Sequence, residues 1–170
     1  MPIKSTPEEV QPLIRSYLSE KEERAWLGLL ETHERIVREL DRRLLREHRL
    51  PLKTFETLIQ LAHTPGEEMA ISELAEQAML SPSRMSRLVM QLERDGLVAR
   101  RRSSTDARST FAAITTEGKQ TLLEAAPTYL TTVRRLLIER LSKNQVAQLA
   151  TIWQRVPPAD GATSAEGRDP

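Results

Sequence analysis

From Ser81 to Arg108 the chain reads SPSRMSRLVMQLERDGLVARRRSSTDAR. The side chains here that can do chemistry are hydrogen-bond donors rather than nucleophiles or metal ligands. They fall in two groups: Ser81, Ser83, Arg84, Ser86, Arg87, Gln91 and Arg94, then Arg100, Arg101, Arg102, Ser104, Asp106 and Arg108. Guanidinium forks and hydroxyls bind phosphate oxygens and, inside a groove, the edges of bases. Seven arginines stand against three acids in this stretch, a local net of +4, while the whole chain carries only +1, so the remaining residues sum to −3. Concentrating the basic excess in one place is the electrostatic footprint of a polyanion site. The competing reading is an arginine-rich solvated surface, and helical phase separates the two.

At about 100° per residue, Met85, Leu88, Val89 and Leu92 gather on one side of a helix opened by Ser81-Pro82. Ser83, Ser86, Arg87 and Arg94 lie opposite, with Arg84 and Gln91 on a flank. Solvated faces usually mix Glu with Lys, but this one has acids only at Glu93 and Asp95, near its far end. Small hydroxyl residues in the first turn also let backbone amides approach a phosphate. Met90 sits on the polar side, placed to touch a thymine methyl or a neighbouring lobe.

Several elements position this face. Ser72 is expected to cap a two-turn helix, Glu73 to Ala78, and Met79-Leu80-Ser81 a turn, so that two helices form a helix-turn-helix pair. The second runs to Asp95 and stops at Gly96, where a left-handed residue is tolerated. Leu97–Arg102 and Ser109–Ile114 read as an antiparallel ribbon with the Ser/Thr-rich loop at its tip. Such a hairpin can lie along a duplex with its tip at the narrow, electronegative minor groove, a site for Arg108. Asp106 is then expected to brace the loop amides or Arg108 itself.

Long amphipathic helices flank this middle region. Ser19-x-x-Glu22 is a capping box opening a helix to about Glu47, with Trp26, Leu30, His33, Val37, Leu40 and Leu44 spaced as a seam facing another helix. A second helix, Pro51 to about His63, turns Phe55, Leu58, Ile59 and Ala62 inward. Met69-Ala70-Ile71 reads as a short strand. Thr115 or Thr116 caps a helix to about Arg140 with Leu122, Ala126, Tyr129, Leu130, Val133 and Leu137 on one face, and Pro127 is expected to kink it. Ser142-x-x-Gln145 opens the last helix, marked by Val146, Leu149, Ile152, Trp153 and Val156. Residues 1–18 form an N-terminal arm with three prolines and 157–170 a disordered tail.

Two passages, Leu80 to Arg108 and the signature Asp106-x-Arg108 followed by Ile114-Thr115-x-x-Gly118, resemble the MarR family of winged helix-turn-helix transcription regulators. The likeness extends over roughly Ser19 to Val156. It implies a mainly α fold with a small β-wing: a dimerisation helix at 19–50, a DNA-binding lobe at 51–114 and C-terminal dimerisation helices at 115–156. By the same resemblance the protein is a homodimer on a pseudo-palindromic double-stranded operator, acting as a repressor and released by a small aromatic or anionic effector. Trp26, Leu30, Val37, Leu130, Val133, Leu137, Leu149 and Trp153 then belong to the dimer interface, which makes the flanking seams largely intermolecular. Trp26, His33 and Phe55 are candidates for a ligand pocket, with core burial favoured for the two aromatics.

Other chemistry has little support. Cysteine is absent, which excludes disulfides and thiol switching. His33, His48 and His63 are scattered and match no zinc-ligand pattern, and no phosphate loop or nucleophile elbow is present, so neither a metal, a cofactor nor an enzymatic reaction is expected. The chain has no signal-like segment and no apolar run near membrane-spanning length, which points to the cytoplasm. The alternative function is a winged-helix module that binds protein or nucleic acid without sequence choice.

Overall fold

The computed structural model describes residues 15–102 and 109–156. The expectations for most of the N-terminal arm, for Ser104, Asp106 and Arg108 at the wing tip, and for the tail lie outside the described residues. The fold is mostly helical with one small sheet, as expected. The chain divides into two compact units, Met1–Glu39 and Leu40–Pro170, and the division falls inside the first long helix, α1 (Glu20–His48).

In the first unit the capping box is formed: the Glu22 carboxylate accepts from the Ser19 amide at 2.7 Å and from its hydroxyl at 2.6 Å. These two bonds hold the Glu22 carboxyl below the usual carboxylate range. Further along, Trp26, Leu27, Leu29 and Leu30 are exposed, whereas Ile36 and Val37 are half-buried.

The second unit begins with the end of α1, where Leu40 and Leu44 are buried by this same chain. The last two positions of the expected seam therefore pack within the chain. Asp41 Oδ1 accepts the Leu52 amide at 2.8 Å, supplying the first turn of α2 (Leu52–His63) with the acceptor that Pro51 at its N-cap lacks. The inward face of α2 is Leu52, Thr54, Phe55, Thr57, Leu58 and Leu61; Ile59 and Ala62 are only half-buried. A threonine can be buried here because its hydroxyl bonds the preceding turn, Thr57 to the Lys53 carbonyl at 2.8 Å.

After a turn with Gly66 at φ +78°, β1 (Glu68–Ala70) runs directly into α3 (Ile71–Gln77). The strand is thus one residue earlier than expected. Ser72 does not cap α3 but lies inside its first turn, because Ala70, extended at the strand end, occupies the cap position. α4 (Pro82–Arg94) follows, then β2 (Val98–Arg102) and β3 (Thr110–Ile114). The sheet order is β1-β3-β2 and both pairings are antiparallel, so the expected two-stranded ribbon carries a third strand. α3 packs on α4, and α4 on β2. Leu74, Met85, Val89, Leu92, Val98 and Ala112 fill the core between them.

α5 (Thr116–Leu136) passes through Pro127 as one helix and ends earlier than expected, giving way to a tight turn at Ile138–Arg140. Its buried positions are Gly118, Ala125, Thr128 and Thr132, which lie outside the Leu/Val face expected to meet a partner subunit. α5 lies against α2, with the Phe55 and Tyr129 rings stacked at 4.8 Å. It is tied to the end of α1 by polar bonds: Arg43 Nη1 donates to Thr132 Oγ1 and Thr128 Oγ1 to Glu47, each at 2.9 Å. The Arg43 and Arg46 guanidiniums, together with Thr128, hold the Glu47 carboxyl down to about 2. α6 (Lys143–Arg155) has the expected Ser142/Gln145 capping box and buries none of its residues.

Candidate nucleic-acid interface

Positioning starts at the two ends of α4. Ser81 takes the N-cap position with extended backbone, and its carbonyl accepts from the Arg84 and Met85 amides at 2.9 and 3.0 Å. Its hydroxyl makes no cap bond and instead meets the Ser83 hydroxyl at 3.3 Å. At the other end Gly96, at φ +75°, turns the chain into β2. With Met85, Val89 and Leu92 buried, the helix presents Ser83, Arg84, Arg87, Met90, Gln91 and Arg94 outward, and Ser86 is half-buried. The face expected from helical phase is therefore assembled.

Its side chains are not equally available. Gln91 donates to Asp95 at 2.9 Å and accepts from Arg94 Nη2 at 2.8 Å, so the three form a chain at the far end of the helix. Arg87 is exposed, and among the described residues its one bond is from Nε to the Ser83 carbonyl, at 3.3 Å. Arg84 has no partner among the described residues. The two acids that would repel a phosphate are both engaged, Asp95 by Gln91 and Glu93 by Arg100, with Arg100 Nε and Nη2 each 2.6 Å from Glu93 Oε2. That pair joins the outgoing wing strand to α4.

The wing arginines divide by strand alternation. Arg100 and Arg102 share a face with Val98, while Arg101 is on the opposite face and binds Glu68 of β1. Glu68 and the Phe111 ring beside it were not among the residues singled out from the sequence. The hairpin pairing sets Phe111 opposite Arg101, but only the β1–β3 pairing brings Glu68 there, and no local pattern announces that pairing.

The returning strand is secured by Ile114-Thr115-x-x-Gly118. Thr115 Oγ1 donates to the Gly96 carbonyl at 2.7 Å and accepts from the Gly118 amide at 3.0 Å, while the Thr115 amide donates to the Leu97 carbonyl at 3.1 Å. One residue thus caps α5 and clamps both ends of the wing. A Cβ on Gly118 would lie 2.2 Å from the Leu97 carbonyl oxygen, which is why the side chain is missing there.

The other sequence-selected residues sit as follows. Trp26, Leu30, Leu130 and Trp153 are exposed; Val37, Val133, Leu137 and Leu149 are half-buried. His33 is exposed, and Phe55 is a core residue at 1 % exposure. His48 and His63 are each hydrogen-bonded within the chain, to Thr128 Oγ1 and the Ile59 carbonyl. No group of acids and histidines among the described residues could hold a metal ion, and no described helix is long and apolar enough to cross a membrane.

A two-helix unit whose second helix presents an outward polar face, followed by a β-hairpin packed on that helix, defines a winged helix-turn-helix protein. The MarR family model matches residues 50–110. Among solved structures, Sco3205, a MarR family transcriptional regulator from Streptomyces coelicolor in complex with DNA, is 32% identical with a TM-score of 0.76, over 88% of this chain and 92% of that one. AbsC, a MarR family transcriptional regulator from the same organism, is 29% identical with a TM-score of 0.74, over 82% of this chain and 94% of that one. CouR from Rhodococcus jostii RHA1, bound to p-coumaroyl-CoA, shares the fold at 23% identity and a TM-score of 0.64, over 75% of this chain and 87% of that one. No curated protein matches the chain. The chain belongs to the MarR family of transcriptional regulators, which are transcription factors rather than enzymes.

Proposed function

We propose that this protein is a sequence-specific repressor that binds a pseudo-palindromic operator as a homodimer. The observation that carries the reading is the outward face of α4, where Ser83, Arg84 and Arg87 are exposed and both nearby acids are already bonded to neighbours. A recognition helix of this kind enters the major groove by its N-terminal half, placing Ser83, Arg84, Ser86 and Arg87 at base edges and phosphates. Arg102 then faces backbone phosphates while Arg100 stays on Glu93, and Arg108 enters the flanking minor groove with Asp106 aiming it. The exposed apolar residues Trp26, Leu30, Leu130 and Trp153 support a dimer, in which two half-sites fall about one helical turn apart. Cytoplasmic location and release by a small aromatic or anionic ligand complete the reading, the latter resting on the family resemblance.

The decisive experiment is selection of duplexes by the pure protein from a random pool, followed by titration of the selected and scrambled sites at two salt concentrations. A palindromic consensus preferred by about a thousandfold or more is expected. Equal affinities with equal salt slopes would instead identify a module without sequence choice. Arg108→Ala should weaken the selected site at least tenfold with unchanged thermal stability; full affinity in that variant would remove the wing tip from the interface.

A further inference from the structure

The face of the sheet opposite Val98 carries an arrangement that DNA contact alone does not explain. β3 lies between β1 and β2, with Glu68 and Ala99 both paired to Ala113, and Ala70 and Arg101 both paired to Phe111. Paired residues share a face, so Glu68, Phe111 and Arg101 stand on one side of the sheet among the small side chains of Ala70, Ala99 and Ala113. From there Arg101 crosses the whole sheet. Its guanidinium carbon passes 5.3 Å from the Phe111 ring centroid, its Nε donates to Glu68 Oε2 at 2.8 Å, and its Nη2 takes Glu68 Oε1, completing a two-pronged pair between strands that do not touch. Each partner favours the other's charged form: Glu68 is held below the usual carboxylate range and Arg101 above its ordinary value.

We propose that Arg101 and Glu68 are positioning residues that brace the wing by locking β2 to β1 across β3, and that Arg101 does not bind phosphate. The consequence for DNA reading rests on the function proposed above; the brace itself does not. β1 continues without a break into α3, the first helix of the helix-turn-helix pair, so the brace ties the outgoing wing strand to the helix pair on one face. The Arg100–Glu93 pair does the same on the other face. A hairpin held on both faces keeps its strands at a set angle to the recognition helix, and a loosened one spends part of its time elsewhere.

The test uses Glu68→Gln, Arg101→Gln, Arg101→Lys and the charge-swapped pair Glu68→Arg/Arg101→Glu in the full chain. Amide hydrogen exchange of β2 and β3 is measured on the free proteins. Binding to a duplex selected by the wild-type protein is measured over a salt series. The three single variants should exchange about threefold or more faster in the wing, Lys included because a point charge cannot replace the fork, with partial recovery in the swapped pair. Operator affinity should fall about threefold in both Gln variants while the salt slope stays at its wild-type value, because no phosphate contact is lost. Tighter binding by Glu68→Gln, together with a slope shallower by about 0.9 in Arg101→Gln, would overturn the proposal and make Arg101 a phosphate ligand with Glu68 as its competitor. Unchanged wing exchange would overturn it independently of DNA. If the wild-type protein selects no site, the functional reading fails while the exchange measurement still decides the brace.

Discussion

α2 and α6 are helices of 12 and 13 residues with comparable apolar content, and they treat it in opposite ways. α2 buries Leu52, Phe55, Leu58 and Leu61 against α5 and the sheet. α6 buries nothing: Ile152 and Trp153 are exposed, as is Val156 just beyond its end, and Val146 and Leu149 are only half-covered. An apolar stripe therefore states only that a helix needs a partner. The middle of the chain meets that need internally, with α4 and the wing mounted on the result. The last helix leaves it unmet within a single chain, as the proposed dimer would require.

The contrast can be broken from either side. Leu58 is fully buried, so Leu58→Ala should cost about 3 to 4 kcal/mol in chemical denaturation, whereas Ile152→Ala should change the unfolding of the isolated chain little. Similar losses at both positions would erase the distinction. Gly118→Ala should cost about 2 to 3 kcal/mol, because the new methyl would press on the Leu97 carbonyl, a backbone atom that cannot swing aside. Retained stability there would mean that the junction between wing and α5 is looser than its hydrogen bonds suggest. Trp153→Ala should weaken self-association by about 2 kcal/mol, read by sedimentation across a dilution series. An unaltered dimer, or none in the wild type, would leave α6 as an ordinary solvated helix.

The smallest effect concerns the polar seam between α1 and α5. The folded Glu47 carboxyl lies at about 2, below its unfolded value of 4.5, so its contribution is fully present above the unfolded value and drains away as pH falls from there toward 2. Glu47→Gln should accordingly flatten the pH dependence of the melting temperature between pH 5 and 2. Because the group is exposed, added salt should shrink the difference. A steep acid dependence unchanged by the substitution would place the acid sensitivity elsewhere.

Much of the geometry of the candidate interface is legible in the sequence. Met85, Val89 and Leu92 set the phase of α4, and that phase alone turned Ser83, Arg84 and Arg87 outward. Gly96 and the Ser19 and Ser142 capping boxes were readable because they act within one turn of the chain. Errors came where burial depended on distant neighbours. Thr54 and Thr57 face inward on α2 where Ile59 and Ala62 were expected, and the inward positions of α5, Ala125, Thr128 and Thr132, lie outside the seam read from its leucines. A threonine whose hydroxyl is satisfied by its own helix or by Glu47 packs as well as a small apolar residue.

The sequence by itself determined the helix order, the helix-turn-helix pair, the concentration of arginine around it and the family signature, since each depends on residues near one another along the chain. Only the tertiary structure decided how those arginines are used. Arg100 is held by Glu93 seven residues back and Arg101 by Glu68 thirty-three residues back, while Arg84 is left free among the described residues. Side chains alternate along a strand by local geometry, but a third strand supplies the acid that Arg101 meets. No periodicity in a linear sequence encodes which strand that will be.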